Sequence, residues 1–187
     1  MKKSLLALAA LLLLGGAAQA QPWSFGPKAG VAFSSINGVE NARARTGVVA
    51  GAFVESAILD WFSIQGELLY SQQGFDTKID GVKTECRLDY IAMPVVAKIY
   101  LIGGLNLQVG AQAAYLINAK EQIGEGPSYG IKNEVNHYNV GVLTGMAYDF
   151  NFGLFIEGRY HYSLTNTFNT IRGQRGGALQ VMVGWKF

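Results

Sequence analysis

The eleven residues at the end of the chain, GALQVMVGWKF, alternate without a break. Leu179, Val181, Val183, Trp185 and Phe187 fall on one side of an extended strand, and Ala178, Gln180, Met182, Gly184 and Lys186 on the other. A strand sends successive side chains to opposite faces, so one face is wholly apolar and the other mostly small, polar or charged. That pattern belongs to a strand set between lipid and a polar interior.

The closing Phe187, with Trp185 two positions earlier on the same face, resembles the sorting signal of bacterial outer-membrane barrels. The opposite end predicts the compartment. Lys2 and Lys3 precede an apolar run from Leu5 to Leu14, followed by Gly15, Gly16 and the small-residue site Ala18-Gln19-Ala20. This is the order of a signal peptide, and the run is short of the roughly 20 residues a membrane helix needs. Cleavage is expected after Ala20, which gives a leader, 1–20, and one domain, 21–187. The chain carries 15 Lys and Arg against 13 Asp and Glu. Two of those cations leave with the leader, so the mature domain is neutral and nothing in it invites nucleic acid. Cys86 is the one cysteine; an intramolecular disulfide is impossible, and it reads as an incidental loop residue.

The mature chain shows seven more segments of period two before the terminal one. They run from about Trp23 to Phe33, Thr46 to Ala57, Trp61 to Gln72, Arg87 to Leu101, Leu105 to Ile117, Tyr138 to Tyr148 and Phe152 to Ser163. Pro27, which cannot donate to a ladder, and Phe53, on a small-residue face, disturb the first two. The connections alternate long and short, with Gly103-Gly104 as a hairpin signal and Gln73 to Glu85 as a long polar loop. The fold expected is all-β: an eight-stranded antiparallel up-and-down transmembrane β-barrel after a cleaved signal peptide, with both termini periplasmic. A soluble lipocalin-like barrel is the alternative, and it would hold its apolar face inside. Glycines and small polar residues on one face suit a narrow lumen, and aromatic strand ends suit interfacial girdles; both favour the membrane barrel.

Several stretches carry a family likeness: FSIQGELLYSQQGF from Phe62 to Phe75, LDYIAMPVVAKIYL from Leu88 to Leu101, IEGRYHYSLTN from Ile156 to Asn166, and the final VGWKF. Gln65, Glu67 to Tyr70, Tyr90, Pro94 and Lys98 fit the strand motifs of the PorT-like outer-membrane barrel proteins, which the chain resembles along essentially its whole mature length. The resemblance implies an integral outer-membrane protein. Its namesake is associated with a secretion and gliding apparatus, so proteins of an envelope or secretion complex are the partners it suggests, beside outer-membrane lipid.

Glu67, Lys98, Glu157 and Arg159 fall on the predicted lumen faces, with Lys28, Glu55 and Lys186 as further candidates. An eight-stranded interior is filled by side chains, and unpaired charge there is costly. A plug of salt bridges is therefore expected, with Glu67 meeting Lys98 or Arg159. One enzymatic reading competes. His161 and Ser163 share a strand face, as a base and its nucleophile must, and look like the His-x-Ser motif of the outer-membrane lipid A deacylases. Leu164-Thr165 follows where that family has Asn-Ala, no acid occurs after Glu157, and both residues point to the lumen. No catalytic set is assigned. His137 and His161, the two histidines, make a poor metal site, and no glycine motif cradles phosphate; no cofactor is expected. Binding through the long connections is the remaining functional class.

Overall fold

The computed structural model describes residues 23–36, 43–79, 82–124, 126–131, 135–167 and 175–187; the leader and its Ala18-Gln19-Ala20 site lie outside the described residues. Nine strands follow one another: β1 (Trp23–Ile36), β2 (Arg43–Leu59), β3 (Phe62–Ile79), β4 (Val82–Tyr100), β5 (Leu105–Ile123), β6 (Ser128–Gly130), β7 (Tyr138–Asp149), β8 (Leu154–Ser163) and β9 (Gly176–Trp185). Eight of them form a closed antiparallel ring in the order β4-β3-β2-β1-β9-β8-β7-β5, shut by pairing of β4 with β5. The three-residue β6 lies outside the ring, against Lys120–Gln122 at the far end of β5. Pro27 is accommodated in β1 opposite Ala52.

Burial decides which face is inside. Leu68 on β3 and Val95 on β4 are each 58% exposed, whereas Lys98 and Arg159 are each 1% exposed. This is the reverse of a lipocalin, which turns its apolar face inward. The exposed apolar band is bounded at the short-turn end by Trp23, Phe25, Trp61, Phe152, Trp185 and Phe187, with Phe25 and Phe187 6.0 Å apart between ring centres. Such a belt marks the membrane–water interface.

The short turns have the chemistry their geometry requires. Between β4 and β5, Leu105 N–H donates to the Ile102 carbonyl at 3.0 Å, with Gly103 at φ +58° and Gly104 at φ +91°. Two successive left-handed residues make the hairpin turn whose twist matches the strands. A Cβ on Gly104 would also run into the Asp149 carbonyl.

At the other end four strands run further than the alternation indicated. The stretch expected as a loop from Gln73 to Glu85 is a continuation of the β3–β4 hairpin, paired from Gly74↔Arg87 to Ile79↔Val82. β5 likewise continues to Ile123. Cys86, expected in a loop, is a buried residue of β4. The cause is a change of phase. Within the band the apolar residues point outward, as Ile64 and Leu68 do on β3 and Met93 and Val95 on β4. Beyond it they point inward: Phe75, Cys86, Leu88 and Ala119 join Tyr90 and Leu116 at the edge of the band, and Ile131 and Val135, in one buried cluster. The extension of β2–β5 is thus a soluble sheet grown out of a membrane barrel.

Leu68→Arg tests the facing. A cation at mid-bilayer on a barrel's lipid face costs about 2–4 kcal/mol, so the variant should refold into phosphatidylcholine vesicles with its urea midpoint lowered accordingly. An unchanged midpoint would mean that Leu68 faces water.

Candidate functional site

The lumen holds two groups of charge, each with two cations and two anions. The first is at mid-barrel. Lys28 is on β1, Glu67 on β3, and Glu157 and Arg159 on β8, all at inward positions of their strands. Lys28 Nζ lies 2.6 Å from Glu157 Oε1 and 2.8 Å from Glu67 Oε1, and Arg159 Nη1 lies 2.9 Å from both Glu67 oxygens. All four side chains are fully removed from solvent. Amides complete the shell: Gln65 Nε2 donates to Glu67 at 2.7 Å, Gln108 Nε2 to Glu157 at 3.2 Å, and Arg159 Nε donates to Gln180 at 2.8 Å. Arg159 has room because its ladder partner is Gly145, where a Cβ would meet the Arg159 Cβ at 2.6 Å.

The second group is nearer the short turns. Lys98 Nζ lies 3.1 Å from Glu55 and 3.3 Å from Asp149, and Lys186 Nζ 2.9 and 2.6 Å from the same two carboxylates. The Tyr100 hydroxyl sits 2.7 Å from Glu55 and 2.8 Å from Asp149, and Ser63 donates to Glu55 at 2.8 Å. On β2, Phe53 is one inward step from Glu55; on β8, Phe155 is one inward step from Glu157. Their rings meet edge to face at 5.3 Å between the two groups.

Of the four residues the sequence singled out, three belong together and Lys98 stands apart. Glu67 meets Arg159, and Lys98 pairs with Glu55 and Asp149. Lys28, Glu55 and Lys186 all take part. Asp149 was missed because it reads as part of a turn, although it continues the inward parity of Gly145 and Ala147. Tyr100 was missed because an aromatic at a strand end reads as girdle.

His161 and Ser163 are both buried but do not engage each other. Neither His161 ring nitrogen has a hydrogen-bond partner among the described residues, and Nε2 packs against Gly141. The Ser163 hydroxyl instead exchanges hydrogen bonds with the Asn139 amide at 2.9 and 3.2 Å. No base reaches the hydroxyl, and neither residue faces lipid. Among the described residues no group of His, Cys, Asp and Glu could hold a metal ion.

Removing one member of a buried ion pair costs about 3–5 kcal/mol, because the partner is left charged and unpaired. Glu67→Ala should therefore lower the unfolding free energy in vesicles by that amount, and Glu67→Leu combined with Arg159→Met should recover most of it. A double variant that loses as much as the two single variants together would mean that the pair does not act as a unit. Cys86 gives an independent check of the upper cluster. Burial, reinforced by Glu121, pushes its thiol up to about 12. It should stay protonated and resist maleimide at pH 8 in the folded barrel, then react fully in denaturant; rapid labelling of folded protein would show the cluster to be open.

Comparison with known proteins accords with this architecture. The chain superposes on Neisserial surface protein A with a TM-score of 0.61 at 16% identity, covering 87% of this chain and 97% of that one. Ail, the attachment invasion locus protein of Yersinia pestis, gives a TM-score of 0.50 at 13% identity over 88% of this chain and 98% of its own. Both likenesses are of fold. No curated protein matches in sequence. The outer membrane protein beta-barrel domain matches residues 17–169, and with a closed ring, an outward apolar band and a charged lumen already in place, the chain belongs to that outer-membrane β-barrel family.

Proposed function

We propose that this is a non-enzymatic, non-conducting outer-membrane barrel of PorT-like type, which presents the extension of β2–β5 to a partner in an envelope or secretion complex. The observation that carries this reading is the inequality of the strands. β2 to β5 are 17 to 19 residues long, against 10 for β8 and β9. A tilted strand needs only about 9–11 residues to cross the bilayer. Lipid does not account for the excess, and it is ordered by an apolar cluster of its own. A rigid wall standing on one side of a barrel is a means of presenting a surface.

Two further observations support the negative parts. The two ion groups and the Phe53–Phe155 contact fill the lumen, which suits a structural plug and not a pathway. The separation of His161 from Ser163 removes the arrangement a lipid A hydrolase would use. In this reading the leader is cleaved after Ala20, the short turns and both termini are periplasmic, and the wall is outside.

Photo-crosslinking in living cells of the native host tests the reading. A crosslinker at exposed Tyr129 or Arg43 on the wall should give a covalent adduct with one envelope protein, while the same group at Val95 in the lipid band should give none. An epitope inserted beside Gly124 should be reached by antibody on intact cells, and one inserted at Gly103 only after permeabilisation. Wall positions that capture no protein would remove the accessory role; reversed epitope access would invert the orientation.

A further inference from the structure

On the outer surface, just beyond the apolar band, two cations are set directly opposite each other without an acid between them. Arg87 on β4 pairs in register with Lys120 on β5, and both are exposed. Residues directly opposite in a ladder hold their Cβ atoms about 5 Å apart, and like charges there repel. The neighbouring acids are already engaged. Asp76 and Glu85 each lie 3.0 Å from Arg45 Nη1, and Asp89 accepts from Gln72 at 3.3 Å and from Asn118 at 3.0 Å. Among the described residues neither Arg87 nor Lys120 has a carboxylate partner. They line a cleft of about 200 Å³ with Arg45, Glu85, Gln122 and Ser128.

The height of this cleft identifies what it meets. On the same face, Ile91 and Met93 on β4 and Tyr115 and Ile117 on β5 belong to the apolar band. Arg87 is four residues past Ile91 and Lys120 three past Ile117. At about 3.3 Å per residue and a tilt of about 45°, the two cations stand roughly 7–10 Å above the hydrocarbon edge. That is the level of headgroups. Between edge and cations lies a row of neutral donors and acceptors, Tyr70, Gln72 and Asn118, around the bonded Asp89. An acyl-chain surface, then amides and a phenol, then a paired cationic cleft is the order of groups in a phosphorylated glycolipid: acyl chains, sugar, phosphate.

We propose that the Arg87–Lys120 cleft binds a phosphate of the outer-leaflet glycolipid, with the Tyr70–Gln72–Asn118 row against its sugar. Arg87 presents a planar fork that matches phosphate geometry, and Lys120 adds a point charge. The bound dianion turns a repulsive ladder pair into two attractive ones. The choice of leaflet rests on the orientation proposed above; the cleft itself does not.

The test is native mass spectrometry of the full chain in detergent micelles, titrated with bis-phosphorylated lipid A, with the same lipid A stripped of phosphate, and with phosphatidylglycerol. Wild-type protein should hold the phosphorylated glycolipid at least about fivefold tighter than either control, an expectation scaled to two partly exposed charge-assisted contacts. Arg87→Ala with Lys120→Ala should abolish the difference, and Arg87→Lys with Lys120→Arg should retain most of it. Heat-modifiable migration on gels verifies that each variant is a folded barrel. Equal retention of all three lipids by wild type, or undiminished preference in the double alanine variant, would overturn the proposal. The micelle has no leaflets, so failure here is a failure of the cleft, whereas reversed epitope access on cells is a failure of the orientation.

Discussion

Hydrocarbon offers a backbone no hydrogen-bond partner, and the architecture follows from that. A strand exposed to lipid must be paired on both edges, so the sheet closes, and β4 pairs with β5 to complete the ring. Closure at eight strands leaves an interior just wide enough for side chains. Because the outward face has to be apolar where it meets lipid, the charged residues of the membrane-crossing segments are directed into that narrow space. The barrel must then solve in its lumen the problem that a soluble protein solves at its surface.

It does so by stoichiometry. Burying an ion costs several kcal/mol even after relaxation, and seven charged side chains with an eighth at a strand end converge on the lumen. They sort into two neutral quartets, Lys28, Arg159, Glu67 and Glu157 in one and Lys98, Lys186, Glu55 and Asp149 in the other. Glu67, Glu55 and Asp149 are each held by two cations, and Glu157 by Lys28 and the Gln108 amide. The arrangement binds β1, β3 and β8 to one another across the lumen, which the ladders alone do not do. The ion groups cross-brace the small barrel this way, and the glutamines at 65, 108 and 180 complete a shell in which each ion has more than one partner.

How far the strand pattern could be read depended on the membrane itself. Where strands cross lipid, period-two alternation with a constant phase marks them, and the eight segments, the tight Gly103-Gly104 turn and the inward charges were all legible. Beyond the interface the same strands lie in water, and the apolar residues change sides: Met93 and Val95 face out, Tyr90, Leu88 and Cys86 face in. A register shift at Asp89/Tyr90, opposite Ile117, falls at this transition. Read as one pattern, the segment dissolves into polar irregularity and looks like a loop. The partners within the lumen were illegible for a different reason. Parity says that Glu67 and Lys98 face inward but not at what depth, and depth is what assigns Glu67 to Arg159 and Lys98 to Glu55.

In the function proposed above, the change of phase has a further consequence. A loop of the same length would cost conformational entropy each time it met a partner, whereas a sheet continued from a rigid barrel has already lost that entropy on folding. The cluster of Phe75, Cys86, Leu88, Leu116 and Ile131 supplies the stability that the membrane no longer provides at that height. It also adjoins the lumen in which the mid-barrel ions are fully removed from solvent. One set of inward apolar residues therefore stiffens the extension that stands above the electrostatic bracing. Substitutions in that cluster should consequently affect the barrel and the wall together, while changes on the outer face of the wall, at Arg87 or Lys120, should leave both folded.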